Sequence, residues 1–136
     1  GAEWTRRKLR PLVVTGRLEI REALRHRRAR RWEAAWNALP EDPGAYAPIA
    51  AYLRATVLLE TGEAEKALKI AREECLGTHR HFTTYADNGI FLEIRALEAL
   101  GYAGLAEAVE RAKRDLEPTG VYPAFRKWLE RQSRSE

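Results

Sequence analysis

A single cysteine, Cys75, leaves the chain with no intrachain disulfide, so its stability has to come from packing. The thiol stands just before Leu76-Gly77, at an expected helix end and without a partner constellation, and it reads as structural or incidental rather than reactive. No apolar run approaches the ~20 residues that cross a bilayer, and the N-terminus lacks the charged-then-apolar order of a secretion signal. A soluble, cytoplasmic protein with no membrane role is expected. Also missing are a glycine-rich phosphate loop and the HExxH, GxSxG and CxxC patterns, so nothing gathers a nucleophile, a metal or a nucleotide. The chain is expected to be no enzyme and to hold no cofactor. Histidine is scarce, at three residues. His79 and His81 are close enough to suggest zinc or nickel, but they have no matched Cys or Asp ligand beyond Asp87, and Arg80 between them repels a cation. No metal site is expected. Strand-like runs such as Pro11 to Thr15 are few and short.

Ala, Leu, Glu and Arg dominate instead, a mixture that favours helix over strand and disorder. At 136 residues the chain suits one domain or a few stacked repeats, with a core of useful size. The opening Gly1-Ala2 and the abrupt start at Glu3-Trp4-Thr5 read as a chain cut from a longer protein. Positive charge is concentrated: residues 1–31 hold 11 Lys/Arg against 3 Asp/Glu, leaving 13 against 17 for the rest. Residues 1–14 read as a basic arm or linker, 15–131 as a helical domain and 132–136 as a frayed tail.

Helical spacing recurs along that domain. A helix is expected from about Thr15 to Arg28. A second spans about Ala29 to Leu39, with Trp32, Ala35, Trp36 and Leu39 at i, i+3, i+4 and i+7. Pro40 to Gly44 then breaks the pattern. Ala45 to Glu60 form a helix ending at Gly62, and Ala64 to Cys75 return antiparallel to it. Leu76 to His81 read as a polar loop, Phe82 to Leu100 as a long helix ended by Gly101, and Leu105 to Leu116 as its partner, closed by Glu117 to Gly120. Pro123 to about Arg131 carry Phe125, Trp128 and Leu129 in a last amphipathic helix. Trp32, Trp36 and Trp128 sit at core spacings, whereas Trp4 is isolated in the basic arm.

Gly62 precedes Ala67, and Gly101 precedes Ala106, by five residues each, directly after Leu-rich helices; Pro118 follows Ala106 by twelve. Ala55 and Ile94 occupy matching places before the two glycines. An earlier unit can be set on Ala35, with Arg30 where the turn glycine would stand. Ala35, Ala67 and Ala106 lie 32 and 39 residues apart, close to a period of ~34. Residues 17–118 thereby resemble tetratricopeptide repeats. In architecture they are similar to the helical-repeat segments of bacterial transcription activators, which bind effectors or partner proteins. The resemblance implies an all-α fold, in which antiparallel helix hairpins stack as a right-handed superhelix with a C-terminal capping helix. It also implies that the first helix of each unit lines a groove, exposing Tyr52 and Thr56 in one unit, Asn88 and Arg95 in the next, and Arg17 and Arg28 alongside.

Arg17, Arg21, Arg25 and Arg28 recur at intervals of four, four and three, along one side of a helix, with Arg27, Arg30 and Arg31 nearby. Such a stripe is a solvated face, or a surface for carboxylates or phosphates. The leading expectation is a protein–protein interaction module of a larger bacterial regulatory protein that takes an acidic segment through Arg17, Arg28, Tyr52, Thr56, Asn88 and Arg95. An alternative is nucleic-acid association through Arg6, Arg7, Lys8, Arg10, Arg21, Arg25, Arg28 and Arg31, although no aromatics interleave the stripe in sequence. A third is self-association through the helix bearing Phe125, Trp128 and Leu129.

Overall fold

A computed structural model of the chain describes residues 16–101 and 104–135, apart from the side chains of 83–85 and 135. The basic arm 1–14 lies outside the described residues. Among those described there is no strand. The elements run α1 (16–28), α2 (Trp32–Ala38), a 3-10 turn at Gly44–Tyr46, α3 (Ala47–Glu60), and α4 (Ala64–Ile70), which continues into a π-helical stretch, Ala71–Thr78. Then follow α5 (Thr83–Leu100), α6 (Leu105–Leu116), a 3-10 turn at Glu117–Thr119 and α7 (Pro123–Ser135). The fold is all-α.

Left-handed residues end the first helix of each hairpin: Arg30 at φ 59, Gly62 at φ 88 and Gly101 at φ 69. After α1, the Arg31 N–H donates to the His26 carbonyl at 2.9 Å and the Arg30 N–H to the Arg27 carbonyl at 3.0 Å. After α3, Glu63 donates to Leu58 at 2.8 Å and Gly62 to Leu59 at 3.3 Å. These paired bonds satisfy carbonyls that a helix end leaves bare, and turn the chain back sharply. Arg30 thus adopts a conformation that is routine for glycine and costs other residues ~1–2 kcal/mol.

Four apolar clusters follow one another along the chain, each joining neighbouring elements. Ile20 and Ala23 of α1 pack on Ala50 and Leu53 of α3, with Ala38 and Leu39 alongside. Ala55, Ala71 and Leu92 join α3, the π stretch and α5. Leu68, Ala96, Leu97 and Ala108 join α4, α5 and α6. Ile90, Ile94, Ala112, Leu116, Phe125 and Trp128 join α5, α6 and α7. Small residues at these seams let the helices approach closely. Ala23, Ala55 and Ile94, each seven residues before a left-handed turn, are all buried.

Several boundaries and positions differ from the sequence reading. The helix expected to stop at Cys75 continues to Thr78 with widened turns, and the His79 N–H reaches back five residues to the Glu74 carbonyl at 2.8 Å. That widening keeps Ala71 and Cys75 buried against α5. Helix α7 extends past Arg131 to Ser135. Ala106 is exposed, and Ala108 is the buried small residue of its hairpin. The reason is that α6 starts from Gly104, whose carbonyl accepts from the Ala108 N–H, as Arg31 serves Ala35 and Glu63 serves Ala67. Trp36, placed in the core by its spacing, is 40% exposed, because α2 buries only Ala35.

Two buried carboxylates tie the elements together. Asp87 of α5 accepts the backbone N–H groups of Ala124 at 2.7 Å and Phe125 at 2.9 Å, capping α7 from another helix. Glu93 accepts from Arg72 at 2.8 Å and from Arg111 at 3.2 Å, joining the π stretch, α5 and α6.

Candidate functional site

The stripe Ile20, Ala23, Leu24 and Arg27 on α1 follows i, i+3, i+4, i+7, which turns Arg27 inward toward α3 rather than outward with its neighbours. On α3, Tyr52, Thr56 and Glu60 lie four apart on one face, and on α5 Phe91 and Arg95 do the same. Packing α1, α3 and α5 side by side merges these faces. The result is a cleft of about 310 Å³ whose walls include Arg27, Arg28, Arg30, Glu60, Phe91 and Arg95, with Trp32, Tyr52, Thr56 and Leu92 completing it.

Four arginines face one carboxylate in this space. Glu60 accepts from Arg95 Nη2 at 2.9 Å, and its second oxygen lies 4.0 Å from Arg30 Nη2. Arg27 Nη2 donates to the Tyr52 hydroxyl at 2.8 Å, while its Nε is buried without a hydrogen-bond partner. Thr56 is buried and its hydroxyl donates to the Tyr52 carbonyl at 2.8 Å, which spends it on its own helix. Arg28 is exposed.

Three of the guanidinium groups lie over rings: Arg27 over Tyr52 at 5.3 Å, Arg30 over Trp32 at 5.7 Å and Arg95 over Phe91 at 5.5 Å. Arg131 of α7 also lies 5.5 Å from the Phe91 centroid. The rings come from α2, α3 and α5 and meet Arg27, Arg30 and Arg95, not the outward stripe Arg17, Arg21, Arg25 and Arg28. A guanidinium held against a ring loses less rotamer freedom when its N–H edge meets a carboxylate or phosphate.

Of the six residues expected to bind a partner, Arg28, Tyr52, Thr56 and Arg95 come together here. Arg17 is exposed and Asn88 half-buried, and neither lines the cleft. The sequence reading missed Arg27, Arg30, Trp32, Glu60, Phe91 and Leu92. The placement of Arg27 on an apolar stripe was a usable signal, whereas those of Glu60 and Trp32 depend on how neighbouring hairpins meet.

Among the residues expected to contact nucleic acid, Arg6, Arg7, Lys8 and Arg10 lie outside the described residues. Arg21 and Arg25 are exposed on α1, with Arg25 paired to Glu22. Arg31 donates through Nε to His26 Nδ1 at 3.0 Å, so it is engaged within its own hairpin. Phe125 and Trp128 are buried against α5, and the Trp128 indole donates to Glu98 at 2.9 Å.

Elsewhere, Cys75 is fully buried, and burial pushes its thiol up to about 12, with Glu74 adding to the rise and Arg54 opposing it. No cluster of three His, Cys, Asp or Glu side chains suited to a metal occurs among the described residues. No helix among them is long and apolar enough to cross a membrane. No protein-family model, curated protein or solved structure matches the chain.

Proposed function

We propose that this chain is a non-catalytic binding module of a larger bacterial regulatory protein and that its cleft takes an acidic segment of a partner protein. The observation that carries this reading is the excess of guanidinium groups over carboxylate, four to one, with three of the four lying over rings. Planar cationic edges gathered in one cleft suit carboxylates, which they bind through paired N–H donors.

A tetratricopeptide-like, right-handed stack is the architecture we propose to present that cleft. Three features support it: equivalent left-handed turns after α1, α3 and α5; successive contacts of α1 with α3, α3 with α5 and α5 with α7; and a core handed from one hairpin to the next. In such a stack α7 serves as the cap.

The nucleic-acid alternative draws on the exposed Arg21, Arg25, Arg28 and Arg31, but the rings nearest the cleft already carry guanidinium groups and offer less face for base stacking. The self-association alternative loses its main apolar contacts, because Phe125 and Trp128 are buried in the chain's own core.

Fluorescence anisotropy with a labelled octaglutamate peptide at low salt tests the proposal. Arg95→Glu puts a second carboxylate beside Glu60 and is expected to weaken binding by at least about tenfold while helicity is retained. Equal affinity of the two proteins, or tight binding only to a single-stranded oligonucleotide and unaffected by Arg95→Glu, overturns it.

A further inference from the structure

The cleft already contains a carboxylate. Glu60 projects from the last turn of α3, is about three-quarters buried, and meets Arg95 from α5 and Arg30 from the α1–α2 turn. The two cations reach it from different hairpins, so Glu60 occupies the point where charge from both converges. Arg30 is there at a cost, since it holds the left-handed turn that glycine holds after α3 and α5. A glycine would turn the chain without that strain but would bring no charge to the cleft.

We propose that Glu60 is a built-in competitor, an intramolecular carboxylate occupying the position that an acidic side chain of the partner takes when it binds. This inference rests on the acidic-partner reading above and adds the event at the site: the incoming carboxylate takes over Arg95 and Arg30 as Glu60 swings toward solvent. No covalent step is involved. One carboxylate replaces another beside the same cations, so net affinity reflects the difference between two similar interactions. A partner with several adjacent carboxylates gains most, because a second can engage Arg28, which is exposed, while the first displaces Glu60. The internal carboxylate also lowers the cleft's attraction for isolated small anions, favouring segments of clustered acidic residues over a single charge.

The test compares octaglutamate binding to the unaltered chain, to Glu60→Gln and to Glu107→Gln, by fluorescence anisotropy at low salt. Glu107 is exposed at the start of α6, away from the cleft, and its substitution changes net charge by the same amount. Glu60→Gln is expected to bind about three- to tenfold more tightly and Glu107→Gln to match the unaltered chain. Glu60→Gln also retains the fold, which circular dichroism checks. Binding by the unaltered chain with no gain in Glu60→Gln, or an equal gain in both variants, overturns the competitor role and leaves the acidic-partner reading standing. No binding by any of the three proteins overturns that reading, and this inference with it. Preferential binding of a single-stranded oligonucleotide by Glu60→Gln, with none of octaglutamate, overturns both in favour of phosphate.

Discussion

Arg30 carries two opposed requirements. Its φ of 59 is disfavoured for a residue with a side chain, while that side chain brings charge to the cleft beside Glu60. Arg30→Gly is therefore expected to stabilise the chain by about 0.5–1 kcal/mol, after the entropy glycine adds to the unfolded state, and to weaken octaglutamate binding. Urea denaturation and anisotropy measured on the same preparation check the two signs, and a loss of stability contradicts the strain argument. Gly89 presents the reverse case. A Cβ there would stand 2.6 Å from the Cβ of Cys75, a backbone-anchored atom that cannot swing away. Gly89→Ala is expected to destabilise by about 1–3 kcal/mol, read as a shift in denaturant midpoint. Cys75 itself is fully buried, and its thiol is pushed up to about 12. Labelling by a thiol reagent at neutral pH is expected only as the fold opens, and rapid stoichiometric labelling of the native chain contradicts this. In the unfolded chain the thiol ionises near its ordinary value, so between that value and about 12 the unfolded state binds fewer protons. This group's contribution to stability is complete below that window and falls as pH rises through it.

Helix α7 has an N-terminus that its own sequence does not cap. Asp87 supplies the acceptors from α5, at 2.7 and 2.9 Å, and fixes the register at which Phe125 enters the core. Asp87→Ala strands both N–H groups and is expected to cost about 2–3 kcal/mol, with amide exchange rising first in α7. Unchanged protection of α7 contradicts this. Boundaries set by glycine and proline were legible: α3 ends before Gly62, α5 before Gly101, and α6 spans Leu105–Leu116 as its pattern implied. A cap contributed from 37 residues away was not, because local spacing carries no signal of it. Nor was the π stretch, since Leu76 to His81 reads as a polar loop when the burial of Ala71 and Cys75 against α5 is unknown. The exposure of Trp36 has a similar origin. It lies at a core spacing on a helix of seven residues, of which only Ala35 is buried.

At the scale of the molecule, the core is a succession of clusters, and the described helices pack mainly on their neighbours in sequence and in the next hairpin. Stability in such an array is passed from neighbour to neighbour. Amide protection is therefore expected to peak in α3 and α5, which have partners on both sides. The candidate site belongs to this scale too. Four of its residues were legible once the hairpins were aligned, because Tyr52, Thr56 and Arg95 lie on first helices and Arg28 at the end of one. Its charge balance was not, since the convergence of Glu60, Arg30 and Arg95 depends on how α1, α3 and α5 lie together. The most direct measurement is a titration of the isotope-labelled chain with octaglutamate, followed by amide chemical-shift changes. Perturbations are predicted to gather on Arg27, Arg28, Arg30, Tyr52, Thr56, Glu60, Phe91 and Arg95; shifts confined to the outward arginines Arg17, Arg21 and Arg25, or none at saturating peptide, would contradict the account.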